Sequence, residues 1–150
     1  MKVSVITKIW MNEDNIQKFI HLYGNGKGKF SLSLIISEPK EWTKEMFSGT
    51  CADWQENTRM RAEWRLKRWG TTTEAMECDG EGLELQRILK GDLSFRTANT
   101  LPAKIFEKMA ADGLVFEIDL IKECWESGYG KAKNEKFQYA FDSDLEDETI

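Results

Sequence analysis

The chain has 150 residues, 41% of them hydrophobic and 11% aromatic, with a net charge of −5. Length and apolar content suit one folded domain that closes its core without metals or disulfides, and argue against a disordered chain. The acidic balance argues against a general attraction to nucleic acid or anionic membranes. Cys51, Cys78 and Cys124, odd in number and without a C-x-x-C pair, fit free thiols better than a disulfide framework.

The opening stretch KVSVITKIW alternates, with Val3, Val5 and Thr7 against Ser4, Ile6 and Lys8, and predicts a strand with one buried side. Its apolar run is too short for a signal peptide, and no segment approaches the roughly 18 apolar residues of a membrane span. The expectation is a soluble protein of a reducing cytoplasm.

NEDN then offers a helix cap with acids in the first turn. Ile16, Phe19, Ile20 and Tyr23 follow with helical spacing, and Gly24 is placed to end that helix. KFSLSLIIS predicts a second strand, with Phe30, Leu32 and Leu34 on one face. Residues 38–58 read as a loop with a short helical piece around Lys44–Phe47.

A helix is predicted from about Trp54 to Arg68, broken by Gly70 and the threonines after it. EAMECDGEG reads as a strand entering a turn. LELQRIL and DLSFRTA read as two strands around Lys90-Gly91, although the alternation of Leu83, Leu85, Arg87 and Leu89 leaves the register ambiguous.

Pro102 suits a helix start, and Ile105, Phe106 and Met109 share one face of a helix that Gly113 ends. LVFEIDLIKECW is the strongest strand, through Leu114, Phe116, Ile118 and Leu120. GYG reads as a turn and KFQYAFD as the last strand. Residues 1–141 thus form one α+β domain, a mostly antiparallel sheet with helices on one face. Residues 142–150, with five acids, read as a solvated, mobile tail.

Few positions carry recognisable chemistry. His21 is the only histidine, so any histidine-based relay depends on it; its place beside Phe19 and Ile20 on the helix suits a structural role better. GNGKGK at 24–29 lacks the spacing and the following helix of a phosphate-binding loop. Asp79 and Glu81 flank Gly80, where acids serve the turn itself. No catalytic set, metal site or cofactor is expected.

The stretch RMRAEWRLKRWGT at 59–71 is more distinctive. On a helix Arg61, Arg65 and Arg68 share one stripe, with Trp54 roughly in line. These arginines can grip phosphates or a partner's carboxylates, or pair with the chain's own acids and cover apolar surface with their stems. The second reading is preferred to nucleic-acid binding by this stripe, because one stripe on an acidic domain is thin support. Arg61, Arg65, Arg68, Trp54 and Trp125 are the candidate partner-binding residues.

Trp64-Arg65 followed by Trp69-Gly70-Thr71 resembles the W-R-x-x-x-W-G-T-K-W segment of the YubB-type phage and plasmid protein family. LSFRTANTLP is similar to that family's F-x-T-x-W-x-P-P segment through Phe95, Thr97 and Pro102. ECWESGYG is similar to its acidic-aromatic run through Glu126, Gly128 and Gly130. The sequence departs from the pattern at Thr72-Thr73, Asn99 and Leu101.

The resemblance implies a ferredoxin-like core and a mobile-element origin, and it carries no catalytic residues. The function it leads to is a non-enzymatic interaction protein, monomeric or homodimeric, that binds a host protein or ribonucleoprotein. An anti-CRISPR or anti-restriction inhibitor is one such role. The alternative is a nucleic-acid-binding accessory protein using the Arg61/Arg65/Arg68 stripe, with Phe95, Phe116 or Tyr139 as stacking surfaces on the sheet. An enzyme built on carboxylates or on Cys78 and Cys124 ranks third.

Overall fold

The computed structural model describes residues 4–24, 28–122 and 126–142. Alternation in the first strand, β1 (Ser4–Trp10), turns Val5, Thr7 and Ile9 into the core and leaves Ser4, Ile6, Lys8 and Trp10 on the other side. Helix α1 (Glu13–Tyr23) starts at Asn12, whose side chain accepts from the Asn15 backbone N–H, and buries Ile16 and Phe19. Gly24 closes it through a backbone bond to Ile20. The predicted strand and helix both form, cap residues included.

The strand expected over KFSLSLIIS does not form. Lys29 makes an isolated bridge to Glu84, and Leu32–Leu34 is a short 3-10 turn. The Glu74 carboxylate accepts from the Leu32 and Ser33 backbone N–H groups, and the Ser31 and Ser33 hydroxyls bond to each other at 3.1 Å. Side chains thus take donors that a ladder would have used. Phe30 and Leu32 are still fully buried.

A second 3-10 turn at Lys44–Phe47 leads into helix α2 (Trp54–Trp69). Gly70 ends α2 in the left-handed conformation at φ 89°.

The edge strand β2 is only Met76–Glu77. LELQRIL is a helix rather than a strand: α3 (Leu85–Leu89) buries Leu85, Ile88 and Leu89, which satisfy i, i+3, i+4 spacing. Strand β3 (Phe95–Ala98), helix α4 (Ala103–Ala111) and strand β4 (Phe116–Lys122) follow as expected.

GYG is not a turn. Gly128, Tyr129 and Gly130 lie inside strand β5 (Glu126–Lys133), which pairs with β6 (Lys136–Phe141) around a turn at Asn134 and Glu135.

The six strands form one antiparallel sheet in the order β2-β3-β1-β4-β5-β6. β1 lies between β3 and β4, which α4 connects, and β3 lies between β1 and β2. The β5–β6 hairpin extends the sheet past β4. Helices cover one face. There Phe19, Phe30 and Phe95 form one aromatic run, with Phe30 and Phe95 centroids 4.9 Å apart. Phe106, Phe116 and Phe137 form another, at 5.3 to 6.0 Å.

Among the described residues, the opposite face carries no helix-packed apolar row. It exposes alternate residues of each strand, among them Trp10, Glu117, Asp119 and Tyr129. Among the described residues, no helix is long and apolar enough to cross a membrane.

Candidate functional site

Two surfaces come into question, the arginine stripe of α2 and the uncovered sheet face. On α2, helical spacing does align Arg61 and Arg65, but both turn onto one carboxylate. Arg61 donates to both oxygens of Glu38 at 2.7 Å, and Arg65 donates to the same oxygens at 3.1 and 3.2 Å. Glu38 and Arg65 are each 15% exposed and Arg61 31%, so the triad is partly dehydrated.

Burial alone would raise the Glu38 pKa. The hydrogen bonds and charges of the two arginines outweigh it and hold the carboxyl below its usual range. The Arg61 guanidinium also lies 4.3 Å from the Phe47 ring centre, and that of Arg65 lies 4.9 Å from the Trp69 ring.

Trp42, Trp64 and Trp69 pack edge to face in series, with centroids 5.5 and 5.8 Å apart. The Trp69 indole N–H donates to the Ile36 carbonyl at 2.9 Å. The stripe therefore clamps the 36–47 loop to α2, as the reading with self-paired arginines expects. Arg68 and Trp54 point outward. Trp125 and Cys124 lie outside the described residues.

The remaining candidates are quickly placed. His21 is exposed in the last turn of α1. Cys78 is buried, and burial pushes its thiol pKa up against the lowering influence of Arg96, which disfavours a thiolate. Among the described residues no group of His, Cys, Asp and Glu is arranged to hold a metal ion. Phe95 and Phe116 are buried under the helices and unavailable for stacking.

The uncovered sheet face has more to offer a ligand. Antiparallel register sets Trp10 opposite Glu117, Glu117 opposite Lys131, Lys8 opposite Asp119 and Asp119 opposite Tyr129. Each aromatic tip then reaches one row over. The Trp10 indole N–H donates to Asp119 at 3.1 Å, and the Tyr129 hydroxyl donates to Glu117 at 2.6 Å.

The two rings are thus tethered diagonally across β4 from opposite sides. They remain 43% and 47% exposed. On its other side Trp10 rests on Gly91, where any Cβ would fall 2.6 Å from the indole.

Sequence reasoning passed over this pair because Trp10 and Tyr129 are distant in the chain and neither sits in a motif. The available signal was alternation: both fall on the polar side of their strands. The chain matches no family model, no curated protein and no solved structure.

Proposed function

We propose that the chain is a non-enzymatic interaction protein of a phage or plasmid, built on a ferredoxin-like core, that binds a host macromolecule through its uncovered sheet face. The observation that carries this reading is the pair of exposed rings, Trp10 and Tyr129, fixed by Asp119 and Glu117 on a face that no helix covers among the described residues. Large rings that are already oriented bury area with little ordering cost, as anchors of an interface do.

The ferredoxin-like reading is supported by the order β2-β3-β1-β4 and by the two interleaved strand–helix units it contains. The mobile-element origin rests on the YubB-type resemblance. A defence-inhibitor role, of the anti-CRISPR or anti-restriction type, follows from that origin alone. The arginine stripe is not the surface proposed, because Glu38 already engages Arg61 and Arg65.

The test is quantitative capture from bacterial lysate with the full chain. Wild type is expected to retain a stoichiometric partner that the W10A/Y129A variant loses and that R68A/W54A keeps. Loss with the helix variant and retention with the sheet variant would reverse the assignment.

A further inference from the structure

We propose that the occupant of the uncovered sheet face is single-stranded nucleic acid, with bases stacking on Trp10 and Tyr129 and phosphates held by Lys131, Lys133 and Lys136. This inference rests on the preceding reading that the face is the interaction surface. It replaces the arginine stripe as the place where nucleic acid would bind.

Charge is the first argument. The chain as a whole is acidic, at −5, yet this part of its surface is not. Lys8, Lys131, Lys133 and Lys136 project from the uncovered face of β1, β5 and β6, against Glu117 and Asp119 on β4. Both of those carboxylates accept hydrogen bonds from the aromatic tips. Among the described residues, none of the four lysines forms an ion pair. Four lysines facing two carboxylates leave a local positive excess, which favours a polyanion.

Shape is the second. Lys131, Lys133 and Lys136 line an open groove of about 550 Å³ together with Asn134 and Gln138, and no carboxylate lines it. Lys131 and Lys133 also border a second hollow of about 330 Å³, which has Trp10 and Glu117 on its wall. A strand laid along the hollows would pass from ring to lysine cluster without leaving the face.

The rings decide the class of polyanion. β1 and β5 are two strands apart, so the rings stand on rows about 10 Å apart. Flat, exposed rings offer stacking to bases whose faces are free, which a duplex hides. An acidic polypeptide would satisfy the lysines but lacks the aromatic bases that stack on such rings.

Fluorescence anisotropy of the full chain with labelled oligothymidylate and oligouridylate of about 12 nucleotides tests this. Binding is expected to weaken with salt, with a log–log slope near −2 if three lysines each neutralise a phosphate of a single strand, at about 0.7 per contact. Y129A and W10A should each weaken binding about tenfold. Y129F, which keeps the ring, should bind nearly as wild type. K131Q/K133Q, exposed and safe for folding, should reduce the slope by about 1.4.

No binding at low salt, or binding indifferent to the ring and lysine variants, overturns the inference. So does a preference for duplex, or a polyglutamate chain that competes as well as the oligonucleotide while the ring variants are silent. If any of these occurs while sheet-dependent capture from lysate persists, the interaction reading stands and only the nucleic-acid assignment falls.

Discussion

Glu38 illustrates how one residue can settle the use of several others. A carboxylate with little exposure, shared by two guanidinium groups, is stable only while both partners remain, and they in turn are stable only while it does. Glu38→Gln should lower the unfolding free energy by about 2 kcal/mol, the scale of lost hydrogen bonds to charged groups. Arg68→Ala, on an outward position, should change it by no more than about 0.5 kcal/mol. Urea unfolding of the variants checks both.

The same measurement against pH tests the sign of the titration. The Glu38 pKa is depressed in the folded state, so its contribution is complete above the ordinary carboxylate range. It is lost as pH falls through the lowered folded value. The Gln variant should lack that part of the acid-side decline.

Among the elements, sequence pattern predicts α1, α2, α4, β1, β2, β3, β4 and β6, and fails where two patterns compete. LELQRIL satisfies period 2 through Leu83, Leu85 and Leu89 and helical spacing through Leu85, Ile88 and Leu89; five residues of helix are too few for either to dominate. KFSLSLIIS has the alternation of a strand, but its backbone donors go to Glu74, a partner that no local pattern reveals.

GYG reads as a turn because glycine usually marks one. In β5 it instead makes room for neighbours. A Cβ at Gly130 would lie 2.6 Å from Ile118 and 3.1 Å from the Phe137 ring, so these side chains of the neighbouring strands close over the gap. Gly130→Val should therefore destabilise the fold by about 2 kcal/mol through overpacking, read from a denaturant midpoint that moves without a change in slope. An unchanged midpoint would show that β5 and β6 pack more loosely than this.

Across the molecule, sequence pattern discloses the α+β class and Gly70 as the stop of α2, since local period and helix-stop chemistry determine them. It did not disclose the surface that matters most here. Trp10, Asp119 and Tyr129 become neighbours only through the register of β1 on β4 and β4 on β5. A net charge of −5 likewise conceals the lysines that the β5–β6 hairpin gathers on one face. Sheet topology, not any motif, assembles the candidate site.

A ligand held by the uncovered sheet face, and not by α2, would touch Trp10 and leave Trp54 free. Nitrogen-resolved NMR of the indole N–H groups tests it most directly, with the Trp10 signal assigned by its loss in Trp10→Phe and the Trp54 signal by its loss in Trp54→Phe. On titration with oligothymidylate the Trp10 indole and the Tyr129 amide should shift together and saturate while the Trp54 indole stays in place. A Trp54 signal that moves while Trp10 and Tyr129 remain still would contradict it.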